Sequence, residues 1–172
     1  MPRPLPVLAY LGLTVSGSVL AWLGLRYLGV APGAAEPSAN ELAPIDAAGH
    51  VMRADAAAAF TAMREAAQTV GIDITVASAF RSYAQQARLY AGFISRPCEI
   101  LGVRTGLPGC FNLASPPGGQ SGHEKGTSVD INVGSESSAV FVWLTANAPR
   151  FDFRNTGLTF KQREPWHWDW VG

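Results

Sequence analysis

The decisive stretch is SGHEKGTSVDINV, residues 121–133. From Ser128 onward polar and apolar residues alternate, the period of a half-buried strand. Val129, Ile131 and Val133 would share one face, and Ser128, Asp130 and Asn132 the other. Asp130 is thereby a carboxylate on a rigid element, turned away from the apolar layer. His123 precedes it by seven residues on a nearby loop. The C-terminal run PWHWDWV, residues 165–171, repeats the alternation. There Trp166, Trp168 and Trp170 share a face, and His167 and Asp169 share the opposite one.

Working outward, residues 54–70 predict a helix with Phe60, Met63, Ala67 and Val70 on one stripe, ended by Gly71. A β-rich segment follows from Ile72, with Ile72, Ile74 and Val76 on one face. Ser82 and Gln85 form a capping box that opens the helix YAQQARLYAGFI, with Ala87, Tyr90, Ala91 and Ile94 at core spacing. Residues 95–122 read as a long loop containing Pro116-Pro117-Gly118-Gly119, and loops of that length in compact domains are usually functional. SSAVFVWLTANA reads as an amphipathic helix capped by Ser135, and FDFRN, GLTF and WHWDWV as short strand-like pieces. Helices mixed with hairpin-type strands in this order predict an α+β fold with an antiparallel sheet.

The chain has 172 residues, enough for one ordinary domain. With 48% hydrophobic and 15% charged residues, it is neither a disordered chain nor a coiled coil. Thirteen Lys and Arg balance thirteen Asp and Glu, so no strong field attracts nucleic acid, and no nucleic-acid partner is expected. The uncharged stretch of 21 residues from Leu5 to Leu25 is apolar on every face and long enough to cross a bilayer. It predicts a membrane anchor, or an uncleaved signal, over residues 1–30. A cleavable signal peptide, cut near Gly17-Ser18 or within Ala31–Ala35, is the alternative. Residues 31–50, rich in Ala and Pro, read as a linker, and residues 51–172 as the domain that follows. Arg3 and the N-terminal amine favour an inside N-terminus, hence a single-pass protein of the cell membrane with its domain exported.

Cys98 and Cys110 enclose a Gly- and Pro-containing loop with little core potential. In an oxidising compartment a disulfide between them would restrain it, by about 3 kcal/mol on the chain-entropy model. A zinc site using both thiolates is the rival, but it lacks CxxC-type spacing and further ligands.

The three histidines are His50, His123 and His167. His50 reads as a surface residue at the domain edge. His123, Asp130 and His167 would supply two nitrogens and one oxygen, and three protein ligands with an open fourth position mark a catalytic zinc. Zinc lowers the pKa of a bound water to about 7. Glu164, three residues before His167 and followed by Pro165, would lie near such a metal and serve as a proton carrier, worth about 10²–10⁴ in rate. Taken singly, each residue has a bland reading: His167 as a hydrogen-bonded strand residue, and Asp130 as a turn or cap residue.

Three motifs in order change that balance: Arg81-Ser82-Tyr83-Ala84-Gln85-Gln86, then Ser121-Gly122-His123 through Gly126 and Ser128 to Asp130, then Glu164-Pro165-Trp166-His167. Together they resemble the zinc D-Ala-D-Ala carboxypeptidase family of the VanY type, which includes related cell-wall endopeptidases. The resemblance spans roughly Ala77 to Gly172. It implies a central antiparallel sheet flanked by helices, the zinc-peptidase fold shared with hedgehog-like and DD-peptidase domains. It implies one Zn2+ held by His123, Asp130 and His167, with Glu164 as catalytic base and Arg81 stabilising the oxyanion. Ser121 and Gln86 match positions near the substrate. Two positions depart from the family pattern: Ser128 stands where Ala is usual, and Phe80 where Tyr is usual.

The expected activity is removal of the terminal D-Ala from D-Ala-D-Ala ends of peptidoglycan stem peptides. The alternatives are an endopeptidase cutting an L-Ala-D-Glu bond or a cross-link, and a non-catalytic, zinc-containing peptidoglycan-binding module. A carboxypeptidase needs a cation for the free terminal carboxylate, and Arg104, Lys125 and Arg154 are the candidate donors. The expected partners are stem peptides and the membrane, with the protein a monomer.

Overall fold

The computed structural model describes residues 36–94, 99–100, 103–104 and 114–172, the last two short pieces of its middle by backbone alone. The expected anchor over residues 1–30 and the Cys98–Cys110 pair lie outside the described residues. Among the described residues no helix is long and apolar enough to cross a membrane.

The first hairpin joins β1 (Leu42–Pro44) to β2 (Val51–Arg53), antiparallel, with Ala43 opposite Met52. It begins inside the stretch read as linker because Ile45 and Met52 are apolar and both are buried in the core. Helix α1 (Ala54–Gln68) follows at once, as its run of alanines favours. Ala56, Phe60, Met63 and Ala67 are its buried stripe. Val70, expected on that stripe, is exposed, because the helix ends at Gln68 and Gly71 turns the chain at φ 74°.

The central sheet has the order β3-β6-β8-β7, all antiparallel: β3 (Val76–Ser78), β6 (Ser128–Ile131), β7 (Phe153–Arg154) and β8 (His167–Trp170). A small separate hairpin, β4 (Glu99–Ile100) with β5 (Val103–Arg104), interrupts what read as a continuous loop. One face of the central sheet carries Val129, Ile131, Phe153 and Trp168 into the core. Phe60 of α1 meets Phe153 edge-on at 6.1 Å, and Phe141 of helix α3 (Ala139–Asn147) meets Trp168 at 6.3 Å. The opposite face carries Asp130 and His167, which stand directly opposite each other in the β6–β8 register.

Helix α2 (Tyr83–Ile94) does open on the Ser82–Gln85 box: the Ser82 amide donates to Gln85 Oε1 at 2.8 Å, and the Gln85 amide to Ser82 Oγ at 3.3 Å. Its inward face is rotated from the expected one. Ala91 and Ile94 are exposed, while Gln86 is 1% exposed and Leu89, Tyr90 and Phe93 are half-buried. The cap of α3 is Ser138, whose hydroxyl accepts from the Phe141 amide at 3.1 Å, rather than Ser135. The GLTF stretch, residues 157–160, expected as a strand-like piece, instead enters a 3₁₀ turn, Thr156–Thr159, capped by the Asn155 side chain, which accepts from the Leu158 amide.

Candidate active site

The chain between Ser121 and Gly126 turns tightly on the Ser121 and His123 carbonyls before entering β6. Gly126 is required there. Its φ is 71°, and a Cβ would stand 2.9 Å from the Arg53 amide, which donates to the Gly126 carbonyl. This turn delivers His123 to the polar face of the sheet, where it lies 2% exposed.

His123, Asp130 and His167 converge so that one ligand atom from each lies within 4.8 Å of the others. Asp130 Oδ1 is 3.3 Å from His123 Nε2 and 3.1 Å from His167 Nδ1. Two donors bound to one tetrahedral zinc at about 2.0–2.1 Å lie roughly 3.3 Å apart, so the spacing suits that ion. The outer ring nitrogens are held as well. His123 Nδ1 sits 2.6 Å from the Ala79 carbonyl, and His167 Nε2 sits 3.2 Å from Asp169 Oδ1. A ring nitrogen facing a carbonyl or carboxylate carries the proton, which leaves the other nitrogen's lone pair free for a metal. His123 Nε2 is buried without a hydrogen-bond partner, an orphan that a metal ion would satisfy.

The charges agree. Burial alone would lower the His167 pKa, yet hydrogen bonds to Asp130 and Asp169 and their negative charges lift it to about 9. Burial opposes ionisation of Asp130, but the two histidines beside it, at 3.3 and 3.1 Å, hold its carboxyl far below the usual range. Asp169 is likewise disfavoured by burial and held at about 2 by hydrogen bonds from His167, Ser128 and Thr156. Two ionised carboxylates around two imidazoles form a nest for a cation.

Arg81 points its Nη2 at Asp130 Oδ2, at 2.9 Å, its Nε at Ser78 Oγ, at 3.1 Å, and its Nη1 at Gln86 Oε1, at 3.4 Å. Gln86 also donates to the Ser115 carbonyl at 2.8 Å, so this buried amide ties Arg81 to the 114–122 loop. Ser121 Oγ accepts from the His123 amide at 3.2 Å and helps close the ligand turn. Glu164 is placed by its own backbone. Its amide donates to the Gly157 carbonyl at 2.9 Å, and its carbonyl accepts from the His167 amide at 3.0 Å. A Cβ on Gly157 would overlap the Glu164 carbonyl and come within 2.8 Å of His167 Cβ, so this close turn admits only glycine. Burial is the main cause raising the Glu164 pKa above its ordinary value.

All seven of the residues expected at the site line one cavity of about 940 Å³, together with Phe160, Lys161, Trp166 and Asp169. A smaller cavity of about 320 Å³ shares Asp130 and Trp166 with it. Lys125 and Arg154 are exposed and are not among the described residues lining the larger cavity; the Arg104 side chain lies outside the described residues. Sequence reasoning gave Asp169 no role, although its shared strand face with His167 was the available signal. It also passed over Lys161 and Ser78, for which no short-range pattern exists. His50, read as a surface residue, is half-buried and paired with Asp46 at 2.6 Å, away from this cavity.

A His/Asp/His set with an adjacent, half-buried glutamate in an open cleft defines a metallopeptidase-type centre. The comparisons with known proteins specify it further. Residues 49–172 match the family model VanY, D-alanyl-D-alanine carboxypeptidase. The chain belongs to the VanY family of carboxypeptidases and is a zinc-dependent peptidase with one zinc site. Among solved structures it is similar to VanYB in complex with D-alanine-D-alanine, at 25% identity and TM-score 0.60, covering 82% of each chain. It is similar to the LdcB LD-carboxypeptidase at 25% identity and TM-score 0.59, covering 82% of this chain and 72% of that one. A VanY D,D-pentapeptidase variant in complex with Zn(II) shares the fold at 23% identity and TM-score 0.53, with 83% and 87% covered. Among curated proteins none matches the chain.

Proposed function

We propose that this protein removes the terminal D-Ala from D-Ala-D-Ala ends of peptidoglycan stem peptides. The observation that carries the reading is Glu164: a carboxylate without a fixed side-chain partner among the described residues, held by its backbone beside the His/Asp/His set and facing an open cleft. When bound, zinc polarises the scissile carbonyl and lowers the pKa of water to about 7. Glu164 takes a proton from the attacking water as the C–O bond forms, then delivers it to the departing amine as the C–N bond breaks. Its raised pKa suits both halves of that exchange. Arg81 has five N–H donors, of which Asp130, Ser78 and Gln86 occupy three. The remaining two are available to the carbonyl oxygen as it gains charge.

The likeness to LdcB favours one second reading, an L,D-carboxypeptidase acting on a tetrapeptide stem. An endopeptidase would instead split the stem or a cross-link. The location goes with the substrate: residues 1–30 tether the enzyme to the cell membrane, the domain works outside it as a monomer, and Cys98 pairs with Cys110 there.

The test is incubation of the full-length protein with a pentapeptide ending in D-Ala-D-Ala and with the corresponding tetrapeptide. Mass spectrometry should show loss of one alanine from the pentapeptide, abolished by a chelator and restored by zinc. Cleavage of the tetrapeptide alone would move the assignment to the L,D class. Splitting within the stem would make it an endopeptidase, and binding without any cleavage a non-catalytic module.

A further inference from the structure

The segment between the 3₁₀ turn Thr156–Thr159 and β8 is a closed loop. Its two ends are joined by the Glu164 amide on the Gly157 carbonyl and by Asn155 Nδ2 donating to the Pro165 carbonyl at 2.9 Å. Phe160 packs against the His167 ring at 5.2 Å, and Arg163 is tied to Glu136 at 2.9 Å. Lys161 sits between these fixed points, exposed, and lines the cavity. Among the described residues it pairs with no carboxylate. The cavity's other lysine or arginine among the described residues, Arg81, has three donors on Asp130, Ser78 and Gln86 and its remaining two on the side of the reacting carbonyl in the reading above. Among the described residues Lys161 is thus the cavity's lysine or arginine without an ion-pair partner.

We propose that Lys161 recognises the free carboxylate of the departing residue and so sets the enzyme's preference for chain ends. This rests on the carboxypeptidase reading and adds the group that enforces it. The amine that leaves takes its proton from Glu164, so the departing residue must lie on the Glu164 side of the metal ligands. Its carboxylate is separated from that amine by one carbon only. A cation for it must therefore stand within a side chain's reach of Glu164, and Lys161 is on the same loop, three residues away. A flexible ammonium reads a carboxylate as a point charge and tolerates either configuration at the intervening carbon. That suits a leaving D-residue.

The experiment compares the full-length protein with Lys161→Met and Lys161→Arg on a D-Ala-D-Ala-ended pentapeptide and on the same peptide with a C-terminal amide. The parent should prefer the free acid by at least tenfold in kcat/KM, the scale of one charge-assisted contact at a partly open site. Lys161→Met should bring the acid-to-amide ratio close to one, mainly through KM for the acid, and Lys161→Arg should keep most of the preference. Zinc content equal to the parent's would show that the exposed substitution leaves the fold intact. A Lys161→Met variant that keeps the parent's preference overturns the assignment while leaving the carboxypeptidase reading in place. A parent that cleaves acid and amide equally overturns it as well. Absence of any alanine release would remove both together.

Discussion

On one wall of the cleft, β6 and β8 hold Ser128, Asp130, His167 and Asp169 in paired register, while the facing segment from Phe160 to Trp166 contains no strand. The metal-ligand side is buried and cross-braced: each ligand side chain has a second contact, and Arg81 closes the ring. The facing segment exposes Phe160, Lys161 and Trp166 and is anchored mainly at its ends. Metal binding demands atoms fixed to a few tenths of an ångström, and a sheet supplies that rigidity. Accepting a peptide demands open, adaptable groups, which a loop supplies. The two walls should therefore fail differently when mutated.

The largest effect is expected from Glu164, which belongs to the loop wall and is the proposed proton carrier. Glu164→Gln keeps the shape and removes proton transfer, so kcat should fall by about 10²–10⁴. Zinc stoichiometry, measured by plasma emission spectrometry, should stay at one per chain. Loss of zinc along with activity would mean that the loop wall also holds the metal, and the division between walls would fail. The sheet wall gives the converse result. Asp169→Asn removes the charge that orients His167 and should weaken zinc about 10–100-fold in competition with a chromogenic chelator. At saturating zinc most of the activity should return. An affinity equal to the parent's would show that the β6–β8 register positions His167 without help.

The two walls were also unequally legible from sequence. Strand alternation is a local rule, so Asp130 and His167 were assigned to the polar face from the pattern Val129-Asp130-Ile131 and the Trp-interleaved C-terminus alone. Gln85 three residues after Ser82 was legible for the same reason. The inward face of α2 was not. A helix beside a polar cleft buries Gln86 where an apolar core would demand a hydrophobe, so apolar spacing pointed one position away, to Ala87. Lys161 was illegible because its place depends on loop closure between Gly157 and Glu164, a tertiary contact without periodicity. Composition alone offers Arg104, Lys125 and Arg154 as carboxylate donors; Lys125 and Arg154 are not among the described residues lining the cavity, and the Arg104 side chain lies outside the described residues.

The pH profile separates the walls by a smaller, graded effect. Glu164 must be unprotonated to accept a proton, and burial raises its pKa above the ordinary 4.5. As the pH falls through that raised value the protonated, inactive fraction grows, so kcat/KM should drop about tenfold per unit below the midpoint. The midpoint should lie above 4.5. Asp169, held at about 2, stays ionised throughout this window and should not contribute to the limb. Zinc content followed across the same range distinguishes protonation of the base from loss of the metal. An acid limb that tracks zinc release would place the sensitive group on the sheet wall instead.

The smallest expected effect concerns Ser128, one of the two positions at which the sequence departs from the motif pattern it resembles. Its hydroxyl donates to Asp169 Oδ1, and Thr156 Oγ1 donates to Asp169 Oδ2 at 2.5 Å, so the carboxylate behind His167 is held from two sides. Ser128→Ala removes one of these bonds without adding volume, and the position is fully buried. A buried carboxylate that loses a donor is less well held, and a net hydrogen bond to a charged group is worth about 1.5–3 kcal/mol of stability. The thermal midpoint should therefore fall by several degrees for a domain of this size, as calorimetry would record. Zinc affinity should change far less than in Asp169→Asn, because Thr156 and the strand register still aim the carboxylate at His167 Nε2. If Ser128→Ala instead weakened zinc as much as Asp169→Asn, the serine hydroxyl rather than the sheet would be setting the imidazole's direction. Stability lost with metal affinity kept would show that the strands supply the aim and the hydroxyl only the anchoring.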